Sequence, residues 1–255
     1  MYTEEQFEQL EQEERTITDE AIAFMLLMLA NTKNSLEKEI RDFYSKYGKD
    51  GVITYAEARK WVGGNDHRRR ITALLTYVQD NFTELQNELT PEFQEMLRNV
   101  IGKEVTFFDV DNENIADKPL EERWGVAEKT WKDRLEDDIA VWCAYILMDI
   151  KQLILKNKSV DDVIAKLTKR FNYMESVLTT LGLSESTAVG SMARRMIFRE
   201  LDIDKYQFYA KADERTCDVC GSMHGLIFPV SAYEIGVTAS PLHPRCRCWE
   251  VPIMD

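Results

Sequence analysis

Four of the five cysteines and two of the three histidines of this 255-residue chain lie in its last forty positions. Cys217 and Cys220 form a C-x-x-C hook, and His243 and Cys246 repeat the spacing further on. Two such hooks offer four soft donors to one tetrahedral ion, the arrangement Zn²⁺ prefers. On a tight turn both sulfurs of a hook point into one pocket, and Gly221 and Gly225 permit the positive backbone dihedrals that such turns need. Pro241 and Pro244 stiffen the second hook, and Cys248, two residues after Cys246, faces the same side of a strand. Five donors therefore compete for four places. Cys217, Cys220, His243 and Cys246 are the first choice, with Cys248 either taking the place of His243 or backing the metal. His224 is a weaker candidate, and Cys143, remote in sequence, reads as a small core residue. Two disulfides, or free thiols, are the alternatives to a metal.

The chemistry of this constellation is structural. A zinc deaminase needs His-x-Glu ahead of Pro-Cys-x-x-Cys, and a metalloprotease needs His-Glu-x-x-His; neither motif is present. A redox C-x-x-C belongs between a strand and a helix in a βαβ unit, whereas strand-like segments flank this one on both sides. One zinc per chain, with no catalytic residue, is the expectation.

The elements that must position the hooks are mostly helical. Ile22, Met25, Leu29, Leu36, Ile40 and Phe43 recur at helical steps and predict one helix over 17–46, roughly 45 Å long, ended by Gly48 and Gly51. The segment 46–57 resembles a calcium loop, but lysine stands at its first ligand place, so it reads as a turn leading into a short helix from Tyr55. Ile71, Leu74, Val78, Phe82 and Leu85 predict a helix over 66–88, opening on the basic quartet His67-Arg68-Arg69-Arg70. Thr90-Pro91 reads as the cap and first residue of another helix, closed by Gly102. Val105 to Val110 suggests a short strand, followed by an acidic, turn-rich loop. Trp131, Leu135, Ile139, Trp142, Ile146, Ile150 and Leu153 form a helical stripe. Ser159 and Asp162 resemble a capping box for a helix through Phe171, and a further helix spans 185–201. Three short strands are expected, at 206–210, 226–230 and 248–251.

The fold class is thus mainly α with a small C-terminal β-rich zinc knuckle. The organisation expected is a helical region over 1–104, a linker over 105–119, a helical domain over 120–204 and the knuckle over 205–255. A net charge of −13 argues against broad binding to nucleic acid or anionic membranes. The most apolar run, Ala21 to Ala30, is half the length of a ~20-residue membrane span, and the N-terminus lacks a signal-peptide pattern. A soluble protein of a reducing cytoplasm fits these features, and there clustered cysteines favour metal over disulfide.

One resemblance is specific. Glu214-Arg215-Thr216-Cys217-x-x-Cys220, Phe228-Pro229 and Pro241-Leu242-His243-Pro244-Arg245-Cys246-Arg247-Cys248 resemble the C-terminal signature of phage Mu protein F-like head morphogenesis (minor capsid) proteins. It covers residues 206–252. Met223-His224-Gly225 stands where Leu-Asp-Gly is usual, and the family's Arg-Thr-Glu helix is not visible. Residues 47–59 are similar to the start of some minor head proteins of phages of Gram-positive bacteria. The resemblance implies a protein of the virion, inside the capsid or at the portal vertex. It implies several copies, portal and capsid or scaffold proteins as partners, and a part in head assembly and DNA packaging or delivery. The alternative is a zinc-knuckle nucleic-acid-binding protein that uses Arg245, Arg247 and the quartet at 67–70.

Overall fold

A helix continues for as long as one face can stay buried, and this rule sets the lengths of the main elements. The computed structural model describes residues 3–54, 56, 65–111, 113 and 115–254, and of 65–70 the backbone alone. Helix α1 (Glu4–Tyr47) begins well before the expected Ile17. Phe7, Leu10, Glu14, Thr18 and Ile22 extend the buried line at three- and four-residue steps. Two polar members hid that line from an apolar pattern search. After α1 the chain turns on Lys49-Asp50-Gly51-Val52, with φ of 52° at Asp50 and 73° at Gly51 and two backbone bonds between Lys49 and Val52. An Asp-Gly pair with both φ positive makes a two-residue hairpin, so the calcium-loop-like segment contains a plain turn. The short helix expected from Tyr55 falls largely outside the described residues.

Helix α2 (Asn65–Phe108) replaces three expected elements. Pro91 does not start a helix and Gly102 does not end one; both are interior. Proline inside a helix costs about 3 kcal/mol. The buried line Leu85, Leu89, Phe93, Met96, Val100 runs unbroken across it and outweighs that cost. Thr90 is not a cap either: its hydroxyl donates to the Gln86 carbonyl at 2.8 Å. Val105, Phe107 and Phe108 complete the helix rather than forming a strand. The side chains of the basic quartet at 67–70 lie outside the described residues.

A short α3 (Lys118–Glu121) precedes α4 (Trp131–Leu155), whose stripe is buried as expected except that Ile154, not Leu153, ends it. Helix α5 (Val160–Glu200) joins the two helices expected over 159–171 and 185–201. Its start is the expected reciprocal cap, with Ser159 N–H donating to Asp162 and Asp162 N–H to Ser159, both at 3.1 Å. Helices α2, α4 and α5 each end on a left-handed Asp or Asn: Asp109 (φ 52°), Asn157 (φ 56°) and Asp202 (φ 53°). The N–H that follows each one reaches back to a carbonyl five residues earlier, satisfying the helix end without glycine.

The C-terminal sheet forms where it was expected. β1 (Lys205–Tyr209) lies between β2 (Ile227–Pro229) and β3 (Trp249–Ile253), antiparallel to both. A six-residue helix α6 (Asp218–Met223) separates β1 from β2.

The chain divides into two compact units. One contains Phe24–Thr90 and Leu135–Leu178. Its core includes Met25, Leu36, Val78, Trp142 and the ring pair Phe82 and Phe171, 6.4 Å apart. The other contains Met1–Ala23, Pro91–Arg134 and Thr179–Asp255, and so holds the sheet and both hooks. Within it α5 is buried on nearly every face from Leu181 to Arg194. Small residues make this possible: a Cβ on Gly182 would meet Ile22 at 2.8 Å, too close to fit.

Glu185, on this buried stretch, accepts from Trp124 Nε1 at 2.8 Å and from Arg134 at 3.0 Å. Burial pushes its carboxyl up to about 7, against the pull of Arg134. Its folded-state value lies above the unfolded one, so its contribution is complete below pH 4.5 and is lost as pH rises through 7. Glu185→Gln is therefore expected to flatten the fall in stability between pH 4.5 and 7.5, measured by urea denaturation at several pH values. An unchanged slope would contradict this.

Candidate metal centre

The first hook is built at a helix start. Cys217 takes the N-cap place of α6, where its Sγ accepts the Cys220 N–H at 3.4 Å. That backbone bond, ahead of the others, lowers the Cys217 thiol below its ordinary range. Cys220 is one turn inside and buried, which pushes its thiol up to about 12, with the Cys246 charge adding to the shift. Gly225, with φ of 82°, makes the turn out of α6, whereas Gly221 is helical.

The second hook is a turn through Pro244 and Arg245, closed by Cys246 N–H to His243 O at 3.1 Å. His243 Nδ1 lies 2.8 Å from the Pro244 carbonyl. A carbonyl only accepts, so Nδ1 carries a proton and Nε2 is the ring nitrogen left to meet a metal. Nε2 faces Cys220 Sγ at 3.1 Å.

All five expected donors come together. Cys217, Cys220 and His243 form one group and Cys220, Cys246 and Cys248 another, the donor atoms of each lying within 4.8 Å of one another. Cys220 belongs to both. A zinc ion with Zn–S bonds of about 2.3 Å sets two sulfurs about 3.8 Å apart, and Cys220 and Cys246 Sγ are 3.8 Å apart. For sulfur and ring nitrogen the tetrahedral edge is about 3.6 Å, longer than the 3.1 Å found here. The thiol cluster is compatible with a metal and is walled by Phe208, Ala210, Met223, Phe228 and Leu242. A hydrogen bond from Cys248, ahead of other influences, brings the Cys246 thiol down to about 5, while Cys248 itself is driven far up. His224 stands apart: its Nδ1 accepts the Ala210 N–H at 3.2 Å and its ring meets Tyr209 edge-on. Cys143 is half-buried on α4, outside both groups.

Residues 144–251 match the family model described as Phage Mu protein F like protein. This part of the chain is Mu F-like. No curated protein and no solved structure matches the chain. The matched region starts well upstream of the signature at 206–252, taking in part of α4 and the whole of α5.

Within the Mu F-like region the second hook is fastened to α5. Arg245 N–H donates to Ser184 Oγ at 3.1 Å, Arg245 Nε to Thr180 Oγ1 at 2.9 Å, and Thr187 Oγ1 to the Cys246 carbonyl at 3.2 Å. Arg247 pairs through both nitrogens with Asp213, at 2.5 and 2.6 Å, and that guanidinium holds the Asp213 carboxyl well below the usual carboxylate range. Asp213 also accepts the Arg215 N–H, and its pairing with Arg247 ties the segment after one hook to the loop before the other. The two arginines expected as DNA contacts thus both bond within the protein, Arg245 while exposed and Arg247 while half-buried.

Sequence reasoning missed the buried partner of this region. Arg194 on α5 is 2% exposed and is met by Glu104, by Glu11 at 2.9 Å, by Glu250 at 3.5 Å and by Glu14 at 4.0 Å. Glu250 also accepts from Tyr233 at 2.7 Å, Ser191 at 3.0 Å and the Ser240 N–H at 2.6 Å. Burial, ahead of other causes, raises the Glu11, Glu14 and Glu250 carboxyls. The available signal was an arginine amid the small and apolar residues Ala188 to Ala193, together with a glutamate inside the apolar strand β3. Among the described residues no helix is long and apolar enough to cross a membrane.

Proposed function

We propose that this protein is a phage minor head protein, a structural component of the virion rather than an enzyme. In this reading a few copies associate with the portal vertex or the capsid interior and serve head assembly and DNA packaging or delivery. The observation that carries it is the Mu F-like region over 144–251. The knuckle, fastened to α5 through Arg245 and Thr187, acts as a rigid contact module. The donor set supports zinc as its metal: thiolates and one imidazole are soft or borderline ligands, and a hard ion would want oxygens. Four of Cys217, Cys220, His243, Cys246 and Cys248 would hold it, fixing two loops that have few large apolar residues of their own.

Tagged protein is expected to retain its cognate portal in a pulldown, and mass analysis of purified proheads is expected to find several copies per particle. Absence from both would overturn the proposal.

A further inference from the structure

A cavity of about 250 Å³ lies between α1, α5 and the loop that precedes the first hook. Five cationic side chains line it: Arg15 of α1, Arg194 of α5, Lys211 and Arg215 of the loop, and Arg247. Only three acidic side chains do so, those of Glu11, Glu14 and Asp19. In a chain with a net charge of −13 this is a local excess of positive charge.

Three of these cations are already committed. Arg194 is held by Glu104 and Glu250 as well as by Glu11, Arg247 by Asp213, and Arg15 by Asp19 at 3.0 Å. Lys211 and Arg215 are exposed, and among the described residues neither side chain has a hydrogen-bond or ion-pair partner. The loop that carries them is fixed in place. Thr216 Oγ1 accepts the Asp213 N–H at 3.0 Å and donates to the Lys211 carbonyl, while Arg247 clamps Asp213. Glu214, the other acid of the loop, is not among the lining residues.

The buried part of the lining has donors without acceptors. Trp249 Nε1 and Ser240 Oγ, on residues 2% and 1% exposed, have no hydrogen-bond partner, and neither does Glu14 Oε1. An indole N–H can only donate, and a buried donor left unpaired is costly. Burial raises the Glu14 carboxyl well above its ordinary range, which favours its protonated, donating form. Unpaired donors inside and unpaired cations at the rim suit the same occupant, an anion with several acceptor oxygens.

We infer that this cavity binds a phosphate group carrying about two negative charges, paired with Lys211 and Arg215 and accepting from Trp249 and Ser240. Two cations balance such a dianion, whereas a carboxylate or a phosphodiester, with a single charge, leaves one of them unpaired. Free phosphate and the terminal phosphate of a DNA strand share this chemistry. Cys246 and Cys248 also line the cavity, so the site lies against the second hook. It is independent of the portal reading.

The test is a calorimetric titration of the full-length protein as purified with inorganic phosphate, followed in parallel by proton–nitrogen NMR. One phosphate per chain is expected, with binding weakened about tenfold or more in Lys211→Gln and in Arg215→Gln. Lys205→Gln, at an exposed lysine of β1 outside the cavity, should bind as the parent does. The Trp249 indole signal, identified among the five tryptophans through Trp249→Phe, should move on binding. A short DNA strand bearing a terminal phosphate then separates the sources: displacement of bound phosphate assigns the site to strand ends, and no displacement assigns it to the free ion. Absence of binding, equal weakening in Lys205→Gln, an unmoved Trp249 signal, or displacement by a strand without the terminal phosphate would each overturn the inference.

Discussion

Replacing Cys220 with serine is expected to take the zinc content from one per chain to near zero and to unfold the knuckle. Cys220 is chosen because it alone belongs to both donor groups, so its Sγ lies within 4.8 Å of a donor atom of each of the other four residues. Structural zinc supplies about 10–16 kcal/mol of apparent binding energy in small peptides, comparable to the roughly 5–15 kcal/mol stability of a whole domain. Around the thiols there is little to replace it: Phe208 and Ala210 are buried, and Met223, Phe228 and Leu242 pack only partly against them. Metal analysis checks the first half of the expectation, and protease sensitivity after Tyr209 checks the second. The same analysis on Cys217→Ser, His243→Ala, Cys246→Ser and Cys248→Ser assigns the ligands, since three of these four should lose the metal. Cys143→Ser should keep it. A parent protein without zinc would refute the zinc reading.

Arg194→Met is expected to destabilise the protein by about 3–5 kcal/mol at pH 7, because it removes the one cation from four converging carboxylates. The loss is not one of packing, since methionine follows much of the arginine stem. It is the energy of leaving buried negative charges unpaired. The carboxyls of Glu11 and Glu14 are already raised by burial, and loss of Arg194 raises them further. Folded-state values above the unfolded ones mean that stability is present at low pH and lost as pH rises. The variant should therefore recover toward the parent as pH falls from 7 to 4.5, and adding Glu104→Gln should restore part of the deficit at pH 7. Urea denaturation across this range checks both statements, and a pH-independent deficit would refute the charge argument.

Local chemistry made some features legible beforehand. Ser159 and Asp162 sit three apart before an apolar run, and they do bond reciprocally. The alternating aromatic segments at 206–210 and 248–251 became β1 and β3. Helix boundaries were less legible. Thr90-Pro91 carries a helix-start signal and Gly102 a stop signal, yet α2 passes through both. Glu14 and Thr18 are polar, yet both lie on the buried face of α1. In each case burial of one continuous face outweighed a local preference of a few kcal/mol or less.

From the sequence alone it followed that the chain is mainly helical, that it closes with two hooks and three strands, and that it resembles the Mu F-like proteins. Those conclusions rest on short-range spacing: periodicity, caps and ligand intervals written within a few residues. Only the tertiary structure showed that Arg245 and Arg247 fasten the hooks, through Thr180, Ser184 and Asp213. It alone brought Glu11, Glu14, Glu104 and Glu250 around Arg194. These contacts join residues far apart in the chain, and a buried ion pair has no local signature. Its partners are chosen by which helix faces meet, and only the packed fold specifies that.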